Sequence, residues 1–165
     1  DHIMPAGARL KYRSNIPEYA KYVFEHTDPD FYRNASDNRD AGKANVIVAG
    51  ESYGQGSSRE HAALCPMYLG VRAVVAKSIE RIHRANLINF GIVPFVFADP
   101  ADYDRVSQGD ALVIEGLRQA VETGRATVRD LTNNNTFDVT TELSDRQKRL
   151  ILAGGLLAAV AQGQA

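Results

Sequence analysis

The chain has 165 residues, 44% of them hydrophobic and 24% charged, with a net charge of −1. That is ordinary globular composition for one domain with its own core, and it provides no overall positive field to hold nucleic acid or an anionic membrane. No apolar run approaches the roughly 20 residues of a membrane-crossing helix, and a single cysteine excludes an internal disulfide. One cysteine also excludes a zinc or iron–sulfur site held by cysteines of this chain alone. A reduced, intracellular and cytoplasmic setting is expected, with neither nucleic acid nor membrane as a partner. The Asn-x-Ser/Thr patterns at Asn34 and Asn134 then carry little weight. The first residue is Asp1, so a single domain over 1–165, cut from a longer protein, is expected.

In chain order, residues 1–13 (DHIMPAGARLKYR) are turn-rich, with Pro5 and Gly7. Residues 15–25 read as a short helix with Pro17 in its first turn, where a missing N–H costs nothing. Residues 26–43, rich in Asp and Asn, predict a long surface loop. The run NVIVAG at 45–50 is short and continuously apolar, as in a buried strand. A glycine- and serine-rich loop follows, then a helix over about 58–69 interrupted near its end by Pro66.

VRAVVAK at 71–77 predicts a second buried strand. Residues 78–91 predict a helix with Ile79, Ile82, Asn86 and Phe90 on one side and Gly91 as its stop. IVPFVFA at 92–98 predicts a third strand, with Pro94 marking an edge or a strand end. A single helical turn follows within 98–106.

Beyond it the pattern changes: 111–117, 125–131 and 136–143 alternate polar and apolar residues, as antiparallel strands with one wet face do. Residues 144–162 predict a closing helix. Ser144 and Gln147 form its capping box, and Leu150, Leu157 and Val160 mark its buried side. The fold class is therefore α/β, with a parallel strand–helix unit and a small antiparallel layer.

The segment that carries chemistry is AGESYGQGSSREHAALCP, from Ala49. It lies beyond the carboxyl end of a predicted parallel strand, where ligands of open α/β sheets sit. Gly54 and Gly56 allow positive φ and a close backbone approach. The N–H groups and dipole at the following helix start make an anion seat. Ser57 and Ser58 add hydroxyls, and Arg59, in the first turn, adds a planar fork suited to carboxylates. The segment lacks the Gly-Lys-Ser/Thr ending of a phosphate loop, has arginine where a dinucleotide fingerprint has its third glycine, and is not G-x-S-x-G. The same residues also fit a plain helix start, with Ser57 and Glu60 as capping box. His61 reads as a supporting or buried histidine rather than a metal ligand, His83 as structural or exposed, and Cys65 as a small buried residue.

GSSREHAAL, the later AKSIERIHRANLINFGIVPFVFADPADYD and the opening DHIMPAGARLKYR together resemble the carboxy-terminal swivelling domain of aconitase. GSSREHA is shared with the small subunits of isopropylmalate isomerase and homoaconitase, whereas DHI-x-x-AG-x-x-LK-[YF]-R with SYGQGSSREHAAL is more characteristic of aconitase. The resemblance implies a swivelling β/β/α three-layer domain with a mostly parallel core sheet. It also implies isomerisation of citrate and isocitrate through cis-aconitate, with a [4Fe-4S] cluster carried by other domains of the same enzyme. By motif match, Ser57 is the catalytic base, and Arg13, Ser58 and Arg59 bind substrate. Asp1 supports the catalytic histidine machinery, with Gly54, Gly56 and His61 in support and no metal ligand in this chain.

Where the family often has Glu-Pro-Arg, the sequence has Cys65, Pro66 and Met67, departing at the first and last of these; an altered surface or inter-domain contact is expected there. The cluster cysteines are absent, so the isolated chain is expected to be inactive. Alternative readings are a free-standing small subunit of an isopropylmalate or homoaconitate enzyme, an RNA-binding module, and a non-catalytic anion-binding domain.

Overall fold

A computed structural model describes residues 2–56 and 59–163. Residues 7–12 form a 3₁₀ segment, and α1 (Ile16–Tyr19) follows. Asn15 caps α1 by accepting a hydrogen bond from the backbone N–H of Glu18. A further 3₁₀ turn over 20–22 extends it.

The stretch predicted as a long surface loop contains a helix, α2 (Phe31–Asp40). Its Asp and Asn residues favour turns when considered locally. Tertiary burial overrides that preference: Ala35 is buried, Phe31 and Tyr32 pack on the core, and Phe31 meets Phe24 edge-on at 4.9 Å. Asn45 then ties the helix down, donating to the carbonyl oxygens of Ala35 at 2.9 Å and Leu69 at 2.8 Å.

The regular core is β1 (Asn45–Ala49), α3 (His61–Tyr68), β2 (Val71–Ala76), α4 (Arg81–Asn89) and β3 (Val93–Phe97). Helix α3 starts later than predicted and runs through Pro66 to Tyr68. Of the two departures from the family pattern in it, Cys65 is buried and Met67 half-buried. After a 3₁₀ turn over 100–105 come β4 (Leu112–Ile114), α5 (Leu117–Thr123), β5 (Arg125–Asp130) and β6 (Asn135–Thr140). Helix α5 was not predicted. It is bounded by Gly116 and Gly124, both left-handed, and buries Ala120 and Val121.

All six strands join one sheet in the order β1-β2-β3-β6-β5-β4. The β1/β2 and β2/β3 pairs are parallel, and the other three are antiparallel. The antiparallel strands thus extend the parallel ones edge to edge. Pro94 is the second residue of an interior strand, and β6 pairs with β3 only at Val96 and Phe97. The missing N–H therefore falls outside the β3/β6 ladder, consistent with a strand end. Strand β2 is buried on both faces: Val74 and Ala76 enter one core cluster, Ala73 and Val75 the other. This explains its apolar run from Ala73 to Ala76, after the exposed Arg72.

On α4 the buried stripe is His83, Leu87 and Ile88, while Ile82 is 48% exposed. The predicted stripe was rotated by about one residue, since Ile79 precedes the helix. At the C-terminus, Ser144 and Gln147 do form the capping box of α6 (Asp145–Ala153). The predicted single helix is broken at Gly154 and Gly155, and α7 (Leu156–Ala161) starts anew. Leu150 is buried as predicted, but Leu157 and Val160 are exposed. The break follows from a close pass of chain segments: a Cβ on Gly91 would lie 2.7 Å from the carbonyl carbon of Gly154.

Candidate active site

The loop after β1 is stitched to the segment between β2 and α4. The backbone N–H of Tyr53 donates to the Ser78 carbonyl, and that of Glu80 to the Tyr53 carbonyl, each at 2.9 Å. Tyr53 and Ile79 thereby form an isolated parallel bridge. Ser78 Oγ accepts from the Ser52 N–H and donates to Glu51 Oε2, both at 2.7 Å. The loop is therefore a short extension of the parallel sheet past the carboxyl end of β1.

A cavity of about 440 Å³ opens beside it, lined among others by Met4, Glu51, Tyr53, Gly54, Arg59 and His83. Arg59, predicted in the first helical turn, stands before Glu60, the N-cap of α3. Its half-buried guanidinium donates through Nη2 to the Met4 carbonyl at 3.3 Å. Gly54 has φ +87°, as the loop chemistry predicted, but the surface its backbone approaches is the ring of His83. Gly56 has φ +114° with open space where a Cβ would stand, so its requirement is conformational.

The opening segment is clipped onto this site. Tyr19, fully buried, donates through its hydroxyl to the Pro5 carbonyl at 3.0 Å. Burial raises its pKa, against the opposing pull of nearby Arg59. His61 Nε2 lies 3.0 Å from the Arg13 carbonyl oxygen, an acceptor, which places the proton on that nitrogen. Its ring also meets Tyr19 edge-on at 5.4 Å. His61 is thus a supporting residue that holds the segment bearing Arg13. Arg13 itself is exposed and does not line the cavity. Asp1, Ser57 and Ser58 lie outside the described residues.

Two residues that line the cavity were not placed there by the sequence: Tyr53, and His83, which was expected to be structural or exposed. His83 is 1% exposed, and burial lowers its pKa to about 4, so the ring is neutral. Tyr53, also buried, has its pKa raised by desolvation. The only signal for them was that an aromatic residue directly precedes the first loop glycine.

Among the described residues, no group of three or more His, Cys, Asp or Glu could hold a metal ion. Cys65 is buried, and burial pushes its thiol pKa up to about 12. These residues do not fit an iron–sulfur group. No helix of the described residues is long and apolar enough to cross a membrane.

The sequence matches the aconitase C-terminal domain family over residues 5–100, which takes in the clipped segment, the loop and the parallel half of the sheet. The chain belongs to this family. It is 40% identical over 135 residues to the mitochondrial aconitate hydratase of Schizosaccharomyces pombe, covering 71% of this chain and 17% of that protein. With the mitochondrial aconitate hydratase of Gracilaria gracilis it shares 34% identity over 184 aligned positions, covering 95% of this chain and 23% of that protein. The aconitase-family chain thus spans about a fifth of the length of the aconitate hydratases it matches. Among solved structures, it resembles the 3-isopropylmalate dehydratase of Methanocaldococcus jannaschii. The TM-score is 0.75 at 29% identity, covering 99% of this chain and 86% of that one. The relatives also correct one expectation: a cytoplasmic setting conflicts with their being mitochondrial enzymes.

Proposed function

We propose that this chain is the carboxylate-binding and base-bearing domain of an aconitate hydratase, a hydro-lyase that isomerises citrate and isocitrate through cis-aconitate. The observation that carries the reading is the position of Arg59. It lines a cavity past the carboxyl end of β1, in a chain 34–40% identical to the aconitate hydratases it matches. A substrate with three carboxylates calls for planar guanidinium forks, and a neighbouring carbonyl, here that of Met4, orients this one.

The proton to be removed lies on a carbon beside a carboxylate and is weakly acidic. Ser57 is the proposed base. Its alkoxide needs stabilisation by backbone N–H groups and by Arg59 in a site closed to water. Ser58 and Arg13 are proposed as further substrate ligands, and Asp1 as the acidic residue supporting proton transfer. A [4Fe-4S] cluster, which the family resemblance implies, would be held by other parts of the complete enzyme and would supply a Lewis acid there.

The test is Ser57→Ala in the complete enzyme. Turnover of citrate should be abolished with binding nearly intact, and near-normal turnover would refute the assignment. The likeness to an isopropylmalate dehydratase supports a second reading, a small subunit acting on that substrate. Assaying the complete enzyme with citrate and with isopropylmalate separates the two.

A further inference from the structure

His83 projects from α4 beneath the loop, with its ring edge-on to Tyr53 at 5.0 Å between centroids. Gly54 lies against that ring so closely that a Cβ would stand 2.2 Å from Cγ, 2.3 Å from Cβ and 2.4 Å from Cδ2 of His83. Rotating the ring cannot relieve this, because Cβ of His83 is itself in the way. The backbone at Tyr53 is meanwhile held on both sides by its bonds to Ser78 and Glu80. The loop is thus gripped at Tyr53, and its next residue rests on a flat imidazole face.

A purely space-filling role would suit a leucine better. Among the described residues, His83 Nε2 and Tyr53 Oη are buried without a hydrogen-bond partner. Such orphaned atoms are rare in native interiors and are retained where shape or function demands them. What the imidazole offers and leucine does not is a flat surface that lets a backbone approach to contact distance. From this contact the chain turns through Gly54 and Gly56 toward Arg59.

We infer that His83 is a positioning residue: its flat ring is the floor that sets where the glycine turn delivers Arg59 to the cavity. The inference rests on the proposed function, since it assigns Arg59 to substrate binding. A misplacement of about 1 Å at such a site can lower rates by about 10²-fold.

The test uses the complete enzyme with three variants: His83→Ala, His83→Phe and Gly54→Ala. His83→Ala should lower kcat/KM for citrate by about 10- to 100-fold, mostly in kcat. His83→Phe, which keeps a flat neutral ring, should stay within about threefold of the parent if the ring acts by shape. Gly54→Ala should be the most impaired. Hydrogen exchange of the amides at 50–60 should quicken in His83→Ala and not in His83→Phe.

An unaltered kcat/KM in His83→Ala would overturn the inference. So would a His83→Phe variant as poor as His83→Ala. If the parent enzyme turns over neither citrate nor isopropylmalate, the functional reading fails by itself. The exchange rates then still decide the positioning role.

Discussion

Replacing Tyr19 by phenylalanine tests whether the opening segment is fixed by its buried clip. The ring of Tyr19 is fully buried, and its hydroxyl donates to the carbonyl of Pro5, itself buried, at 3.0 Å. The substitution keeps the ring and its packing, including the edge contact with His61. It removes one hydrogen bond and leaves a buried carbonyl without its donor. Stranding a buried acceptor costs about 1–3 kcal/mol. For a chain of this size each kcal/mol shifts Tm by about 2–4 °C, so a fall of roughly 2–12 °C is expected in thermal unfolding followed by circular dichroism. Tyr32→Phe is the control, because Tyr32 is half-buried and, among the described residues, its hydroxyl makes no hydrogen bond that would be lost. It should move Tm by no more than about 1 °C. In the complete enzyme, Tyr19→Phe should also raise KM for citrate, since Arg13 rides on the same segment. A Tm for Tyr19→Phe equal to that of the control would show that the hydroxyl does not anchor the segment, and the reasoning would fail.

Arg59→Lys in the complete enzyme should raise KM for citrate at least about tenfold, because a point charge cannot reproduce the two-pronged fork; an unchanged KM would count against the substrate-binding role. Gly155→Ala should destabilise the chain by about 2 kcal/mol or more, since its Cβ would meet the Asn89 carbonyl oxygen at 2.7 Å from a left-handed backbone. Equal urea midpoints would refute that. The buried neutral His83 should make stability depend on pH: its pKa falls from 6.5 to about 4 in the folded chain. The unfolded chain takes up the proton first as pH drops, so this contribution is fully present above about 6.5 and lost by about pH 4, some 3 kcal/mol in all. His83→Ala should remove that slope, and parallel pH profiles for parent and variant would contradict it. Cys65, buried with its thiol pKa raised to about 12, should react with a disulfide reagent only on unfolding.

The sequence by itself determined those features whose signals are local. The apolar runs at 45–50, 71–77 and 92–98 became the three parallel strands because a strand covered on both faces has no polar position to spare. The Ser144 capping box and the glycine turn were legible because caps and left-handed residues are set by neighbours in the chain.

Tertiary structure decided what depends on distant partners. The loop predicted at 26–43 became α2 because Phe31 found Phe24 and Asn45 reached back to Ala35, contacts that no short window contains. The buried face of α4 turned by one residue, and with it His83, expected to be structural or exposed, came to lie buried under Gly54. Leu157 and Val160 came out exposed because two glycines passing close to Gly91 start a new helix in another direction. In the candidate site, the motif named Arg59, Gly54 and His61, but not what holds them. The carbonyls of Met4 and Arg13 and the ring of His83 carry no sequence signature, since a backbone oxygen or a flat surface acts only once the fold has brought it within reach.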